Sequence, residues 1–360
     1  MYSLYKKDNL NKYMKKLTAS YRKDIETAIN NTVDIEELYG KSILITGITG
    51  SVASFLVDML LMLNEIEDAG ITIYGLARNE LKVKERFSYS SSKSIKYLIQ
   101  DVCEGIQIQG SVDHIIHAAG DGYPEAFRLR PVETMTPAIQ GTINTLNLAK
   151  QKKVKSYAFI SSGEVYGNSN LDIPDKVETT NYNSVGMSVR SCYPVAKQAA
   201  EILCVSYANE YEVPAKVVRL SHTYGPFVSE GDNRASTQFI KKAIAGDEIV
   251  LHSNGEQIRS YTYVADAAAA ILTVLLNGQN GEAYNVANSE SKATIMEFAK
   301  ELSALANVGC KQDFPSEEQY KERSPISFAV LNSKKLEDLG FKATYTLKEG
   351  LRATLNALSE

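Results

Sequence analysis

The sequence predicts an α/β protein: a doubly wound parallel sheet followed by a smaller C-terminal α/β lobe. Three observations carry this expectation. A short apolar run, Ile43-Leu44-Ile45, leads directly into Gly47, Gly50 and Ala53, then into Phe55, Leu56, Met59, Leu60 and Leu63 at helical spacing. Strand-like runs then alternate with helical stretches as far as Leu220, the pattern of parallel strands joined by crossover helices. Beyond that point the elements shorten and the alternation loosens.

The first of these elements carries the most chemistry. Gly47 permits a tight turn after the strand, Gly50 lets the backbone approach a ligand, and Ala53 lets the helix pack closely on the strand. The free N–H groups of such a helix start suit a dinucleotide pyrophosphate. Gly47, Thr49, Gly50, Ser51 and Val52 are therefore candidate cofactor-binding positions. A ligand-free strand-to-helix corner would use the same glycines, so the downstream residues decide. A membrane-spanning reading fails, because glycines and Asp58 interrupt a stretch already shorter than the roughly 20 apolar residues required.

Composition excludes other classes. The chain has 360 residues, enough for one large or two smaller domains, and its net charge of −4 gives no electrostatic reason to bind nucleic acid or acidic membranes. Cys103, Cys192, Cys204 and Cys310 form no C-x-x-C pair, which argues against a metal site or disulfide framework and fits a reducing cytoplasm. The N-terminus lacks the apolar core of a cleavable signal.

In chain order, residues 1–31 predict a helix with Leu10, Tyr13, Met14, Leu17, Tyr21, Ile25 and Ile29 on one stripe and Asp8 as N-cap, docked on the body of the protein. Residues 71–76 read as the second strand. An acid at its end would bond the adenosine ribose, but Ala77-Arg78-Asn79 offers none. Arg78 could pair with a ribose 2′-phosphate or stack on adenine, which leaves NAD and NADP open. Residues 97–102 read as a further strand, where Asp101, beside Val102, could meet the adenine amino group. A buried strand from His114 runs into Ala118 and Ala119, whose small side chains leave room for a flat ring. There follow a helix over about 131–152, a strand over 155–162, a loop after Tyr166, a helix over 192–210 with Pro194 in its first turn, and a strand over 217–220. Asp266 is expected to cap an alanine-rich helix over 267–276.

Ser162, Tyr193 and Lys197 form the central constellation. Tyr193 and Lys197 are four apart on a helix and share a face. An ammonium beside a phenol stabilises the phenolate and makes tyrosine usable as a base. Ser162 ends a strand, where a doubly wound sheet presents its ligands, and its hydroxyl can hold the reacting oxygen.

With these residues in view, the sequence resembles the extended short-chain dehydrogenase/reductase family, the NAD-dependent sugar-nucleotide epimerases and dehydratases, over residues 41–360. The resemblance rests on the 46–53 turn, His117-Ala118-Ala119, Ser161-Ser162-Gly163-Glu164-Val165-Tyr166-Gly167, Tyr193-x-x-x-Lys197, Tyr224-Gly225-Pro226, and Arg259 within Gln-Ile-Arg-Ser-Tyr-Thr-Tyr-Val. It implies a Rossmann-like domain over 41–220 holding NAD or NADP. A lobe over most of 221–360 would bind a nucleoside diphosphate sugar, with one strand or helix free to return to the first domain. A helical extension over 1–40 precedes both. It also implies a homodimer through helices 133–152 and 193–210, and Arg259 as the contact to the sugar-nucleotide diphosphate, a task suited to a guanidinium fork.

The 4,6-dehydratases carry Asp-Glu after the catalytic hydroxyl residue, where this chain has Gly163-Glu164, which argues against dehydration. UDP-glucuronate decarboxylases carry Ser-Glu there and an Arg-x-Cys-Tyr run similar to Arg190-Ser191-Cys192-Tyr193. Two departures stand out: His222 replaces the usual Asn before Tyr-Gly-Pro, at a substrate-contacting position, and Ala138 replaces the Asn ahead of Gly141-Thr142. The implied mechanism oxidises sugar carbon 4, with Tyr193 as base and Glu164 acting at the acidified neighbouring carbon. Epimerisation and decarboxylation both follow from that ketone. The alternatives are an NADPH-dependent reductase of a nucleotide-activated keto sugar, favoured by Arg78, and an inactive cofactor-binding scaffold, disfavoured by the intact Ser-Tyr-Lys set. No metal, nucleic acid or membrane partner is expected.

Overall fold

The computed structural model describes residues 17–90, 93–167, 175–182, 186–228, 231–313 and 326–359. The expected cap Asp8 and the stripe residues Leu10, Tyr13 and Met14 lie outside them. The described chain opens with α1 (Ala19–Asn30), capped by the Thr18 side chain, which accepts from the Tyr21 N–H. There follow β1 (Ser42–Thr46), α2 (Ser51–Ile66), β2 (Thr72–Ala77), α3 (Glu80–Arg86), β3 (Ile95–Ile99), β4 (His114–His117), α4 (Pro124–Leu129), α5 (Pro131–Thr136), α6 (Thr142–Lys152), β5 (Ser156–Ser162), α7 (Cys192–Tyr211) and β6 (Ala215–Leu220). The remainder forms β7 (His222–Tyr224), α8 (Ala235–Ala245), β8 (Ile249–Leu251), β9 (Ile258–Tyr263), α9 (Val264–Asn277), β10 (Ala283–Val286), β11 (Lys292–Thr294), α10 (Ile295–Ala306), β12 (Cys310–Gln312), β13 (Phe328–Ala329), α11 (Lys334–Glu337) and α12 (Leu347–Ser359).

Seven parallel strands form the central sheet in the order β10-β6-β5-β4-β1-β2-β3. Both faces are covered. Ile43 and Ile45 pack into the cluster that includes α2 and α9, while Leu44 between them packs with Leu146, Ala200 and Cys204 of α6 and α7. Two-sided burial is why these strands read as unbroken apolar runs. Helix α2 buries ten of its residues, Asp58 included, because α1 and α9 flank it. That enclosure explains its membrane-like composition. Among the described residues no helix is long and apolar enough to cross a membrane.

Strand order reverses between β1 and β4, so the crevice of this sheet opens above Thr46 and His117 at the strands' carboxyl ends. The chain passes from β6 almost directly into β7, which pairs with β9 in a smaller sheet completed by β11 and β13. His222 thus sits at the junction of sheet and lobe. β10 turns back to pair with β6.

α1 touches both parts. Its Tyr21 hydroxyl donates to the buried Asp58 of α2 at 2.6 Å. Its Asp24 accepts from the hydroxyls of Tyr263, at the end of β9, and Tyr345, at 2.6 and 2.8 Å.

Three local expectations differ from the structure. The helix over 131–152 is divided by a π turn at Pro137–Gly141, because Pro137 has no N–H to continue the α ladder. The third strand ends at Ile99, leaving Asp101 in the following turn, where it accepts from the Cys103 N–H at 2.8 Å. Asp266 does not cap its helix: α9 starts at Val264, and the Asp266 carboxylate accepts the N–H groups of Thr344 and Tyr345 at 2.9 and 3.0 Å. Burial there pushes its carboxyl up to about 6.

Candidate active site

The glycine turn and the loop after β4 are built against each other. Gly47 adopts φ +72°, and a Cβ on it would lie 2.8 Å from the Ala119 Cα. Only glycine meets both conditions. The Thr46 hydroxyl accepts the N–H groups of Ala118 and Ala119, each at 3.1 Å, and lies 2.8 Å from His117 Nδ1. His117 Nε2 lies 3.2 Å from the Pro137 carbonyl. These contacts assign the tautomer: Nε2–H donates to Pro137, and Nδ1 accepts from Thr46. Burial and the nearby Lys197 charge push the imidazole down to about 3, so it stays neutral. A Cβ on Gly141 would stand 2.9 Å from Val102 Cγ1, so the π turn needs glycine there to pack this closely.

A dinucleotide fits this cradle. Gly50 is the N-cap of α2 and no side chain caps that helix, so its first N–H groups are available to a pyrophosphate. Thr49 and Gly50 are exposed, while Ser51, Val52, Ala118 and Ala119 are half-buried along the crevice. At the far end Arg78 stands 3.8 Å from Asp101, so these two candidates come together. Val102 differs: its side chain lies in the core, and its carbonyl accepts from Asn144. It offers the crevice no side chain.

The strand end, the turn after it and the start of α7 converge beside this cradle. Ser162 closes β5 and caps the short turn Gly163–Tyr166, its Oγ accepting the Glu164 N–H at 3.2 Å. Tyr193, in the first turn of α7, stacks on Phe127 of α4 with ring centroids 4.4 Å apart and planes 16° from parallel. One turn on, Lys197 Nζ lies 5.9 Å from the Tyr193 ring centroid and donates to the Ile160 carbonyl at 2.7 Å.

Burial pushes the Lys197 ammonium down to about 8. It also pushes the Tyr193 phenol up to about 12, helped by the Glu164 carboxylate and opposed by a hydrogen bond to Ser162 and the charges of Arg234 and Arg190. The sequence leads one to expect a phenol made acidic by its lysine. Here desolvation outweighs that effect, because the ammonium is turned to a backbone carbonyl.

Glu164 is gripped by Arg190, whose Nη2 lies 3.0 and 2.9 Å from its two carboxylate oxygens. Across the cleft, Arg259 of β9 is buried, and its hydrogen-bond partners among the described residues are the carbonyls of Ile258, Ile326 and Ser327 and the Gln257 side-chain oxygen. No carboxylate among them pairs with it, and burial lowers its pKa below the usual guanidinium value. A buried cation whose direct partners among the described residues are neutral oxygens suits an incoming anion. His222 lies near Arg259 and Arg234, and burial with those charges drives its imidazole well below the usual value. It therefore stands neutral, able to donate or accept.

Sequence reasoning passed over several residues of this site. Phe127 and the Arg234–Asp232 pair, with Nη2 to Oδ2 at 2.6 Å, carried no local signal. Arg190 lay inside the Arg-x-Cys-Tyr run without a role. Glu201 could have been found by extending the spacing of Tyr193 and Lys197 one more turn. It lies beneath Lys197, accepting from Ser161, Tyr182 and Arg219.

Comparison with known proteins gives the family and the fold. The NAD dependent epimerase/dehydratase family matches residues 43–287. UDP-glucuronic acid decarboxylase 1 of Xenopus tropicalis is 30% identical over 319 residues, covering 88% of this chain and 72% of its own. UDP-glucuronic acid decarboxylase 3 of Arabidopsis thaliana is 30% identical over 320 residues, covering 86% of each. In fold, the chain is similar to UDP-glucuronic acid 4-epimerase of Bacillus cereus, solved with UDP-glucuronic acid and NAD, at a TM-score of 0.73 and 20% identity over 88% of this chain and 99% of that one. UDP-glucose 4-epimerase of Thermotoga maritima gives a TM-score of 0.74 at 21% identity over 88% and 98%. With the switch-point crevice, the glycine cradle and the Ser-Tyr-Lys set gathered at the carboxyl ends of β1, β4 and β5, the chain belongs to the NAD-dependent epimerase/dehydratase family.

Proposed function

We propose that this protein is a nucleotide-sugar-modifying enzyme of the decarboxylase type. It acts by transient oxidation at sugar carbon 4, with NAD bound in the glycine cradle and a UDP-linked uronic acid as substrate. The observation that carries this reading is the meeting of three groups at one strand end: the Ser162 hydroxyl, the Tyr193 phenol and the Arg190-held Glu164 carboxylate. The decarboxylase relatives and the absence of an acid at Gly163 support it over dehydration.

The dinucleotide, held by the backbone of residues 47–52 and by Arg78 and Asp101, supplies reversible hydride acceptance when bound. Ser162 orients the hydroxyl on carbon 4. Tyr193 takes that hydroxyl's proton, with the Ser162 hydroxyl and the charges of Arg190 and Arg234 favouring the phenolate and Lys197 one helical turn away. A ketone at carbon 4 makes the neighbouring carbon–hydrogen bond acidic and turns a carbon 6 carboxylate into a β-keto acid, which loses carbon dioxide. The electrons of the broken carbon 5–carbon 6 bond pass into an enolate over carbons 4 and 5, and Glu164 is the group placed to direct the proton that carbon 5 then takes up. Arg259 neutralises the substrate diphosphate, and neutral His222 bonds a sugar or phosphate oxygen. Pairing of Arg78 with Asp101 supports NAD over NADP, because the arginine's charge is already matched. The free thiols support a reducing, cytoplasmic setting. Exposed Val195, Ile202 and Val205 on α7 support pairing of two copies through that helix.

Purified protein supplied with NAD and UDP-glucuronic acid should release carbon dioxide and form a UDP-pentose, with no net change in nicotinamide absorbance. Inversion of the intact uronic acid would assign an epimerase instead, and stoichiometric NADPH consumption with a keto sugar would assign a reductase.

A further inference from the structure

We propose that Arg190 is a positioning residue that holds the Glu164 carboxylate to one side of the Tyr193 phenol and balances its charge, so that the phenol can lose a proton with an anion close by. The inference rests on the reading of Tyr193 as the proton acceptor and adds a residue to which that reading gives no role.

The geometry supplies the argument. Arg190 lies in the short turn Val189–Ser191 that runs directly into α7, so it is fixed to the same rigid piece as Tyr193. Glu164 comes from a different element, the turn after β5. Two hydrogen bonds, 3.0 and 2.9 Å, join them across the mouth of the site. The guanidinium carbon stands 4.9 Å from the Phe127 ring centroid, and the same ring stacks against Tyr193. Phe127 is itself anchored to the start of α7, its carbonyl accepting from the Cys192 thiol at 3.7 Å. Arginine, phenylalanine and tyrosine therefore form one packed unit that sets where the carboxylate can lie.

The electrostatic need is direct. A carboxylate near a phenol opposes formation of the phenolate, and a cation on that carboxylate offsets it. Among the described residues, the charged groups facing Tyr193 are Glu164 from the turn after β5, Arg190 from the turn before α7, Lys197 on α7 itself and Arg234, already paired with Asp232, from the segment before α8. Phe127 of α4 adjoins the ring and Gly122 of the loop after β4 adjoins the hydroxyl, and neither brings charge; Tyr123 and Cys192 complete this cluster, and burial pushes the phenol of the one and the thiol of the other up, so both stand neutral. Among these, Arg190 alone bonds the Glu164 carboxylate directly. The pair is also largely shielded, with side chains 30% and 20% exposed, so its charges act on their neighbours more strongly than a surface pair would.

The test reads the phenol itself. A difluorotyrosine installed at position 193, which ionises at lower pH than tyrosine, is followed by fluorine NMR in the full-length protein with NAD bound. The backgrounds are unaltered, Arg190→Gln, Arg190→Lys, Glu164→Gln, and Arg190→Gln with Glu164→Gln. Arg190→Gln should move the ionisation to higher pH by about one pH unit. Glu164→Gln should move it lower, the double variant should cancel most of the Arg190→Gln effect, and Arg190→Lys should fall between the unaltered protein and Arg190→Gln. The acid limb of the kcat/KM profile, measured with native Tyr193 in the unaltered protein, Arg190→Lys and Arg190→Gln, all of which keep Glu164, should move in the same order. If Arg190→Gln leaves the ionisation unmoved, or the double variant fails to reverse it, the proposal is overturned. If Arg190→Gln does not fold, the Glu164→Gln and Arg190→Lys backgrounds decide by the same criterion. The titration needs no turnover, so a protein inactive on every nucleotide sugar would defeat the functional reading while this outcome remained readable.

Discussion

Tyr193 stands where two demands conflict. Stacking on Phe127 and burial at the strand end hold its ring in place, yet the same burial raises the phenol to about 12. A base in that setting depends on neighbours that favour the phenolate, and Ser162, Arg190 and Arg234 all act in that direction. Tyr193→Phe should lower kcat by 10²–10⁴-fold, the usual worth of a positioned acid–base group, while NAD affinity by titration calorimetry stays within about twofold. His114 gives a prediction of another kind. It is 4% exposed, and neither ring nitrogen has a hydrogen-bond partner among the described residues. Burial, opposed by Asp113, pushes it from 6.5 down to about 4. Its folded value is the lower one, so its contribution to stability is complete above pH 6.5 and is lost as pH falls toward 4. That loss amounts to about 3 kcal/mol. His114→Leu should flatten the fall in denaturation midpoint across this window, as read by urea unfolding at several pH values. At this scale Ser162, Tyr193 and Lys197 were legible because a strand end and a four-residue helical spacing are local facts. The Glu164–Arg190 grip was not, because it joins residues 26 apart that only the packing of α7 brings together.

The glycine turn and α1 show how whole elements act. Gly47→Ala would place a methyl group 2.8 Å from the Ala119 backbone at a φ of +72°. It should abolish NAD binding in a calorimetric titration and lower the thermal midpoint as well, since the two loops hold each other. α1 works as a strap. Tyr21, Ile25, Ala28 and Ile29 are buried, and Asp24 accepts two tyrosine hydroxyls from β9 and the 345 region. Asp24→Ala should cost about 1–3 kcal/mol, because it strands the buried Tyr263 hydroxyl and takes one partner from the half-buried Tyr345, and calorimetric unfolding would measure it. The amphipathic stripe announced a docked helix, but its partners, some 240 to 320 residues away, could not be read from it. The division of the 131–152 helix was foreshadowed by Pro137. Its consequence, a π turn whose Pro137 carbonyl lies within reach of His117 Nε2 and fixes the tautomer, required coordinates.

At the scale of the molecule, the order of elements was legible because a two-sided parallel sheet writes apolar strands and amphipathic helices in strict alternation. The C-terminal lobe was less so: its strands are two to six residues long, too short for a period to show. The proposed pairing of two copies through α7 predicts that Ile202→Glu, on that helix's exposed side, shifts the protein toward monomer in sedimentation velocity and leaves the circular dichroism spectrum unchanged. The account as a whole holds that one crevice, at the carboxyl ends of β1, β4 and β5, brings a bound dinucleotide and a sugar carbon to the Tyr193 phenol. Rapid mixing of the NAD-loaded protein with UDP-glucuronic acid, followed by nicotinamide absorbance, tests this most directly. The account predicts a transient rise and fall in the unaltered protein, a rise without the fall in Glu164→Gln, and no rise in Tyr193→Phe. An equal transient in Tyr193→Phe, or product formed by the unaltered protein with no reduced nicotinamide at any time, would contradict it.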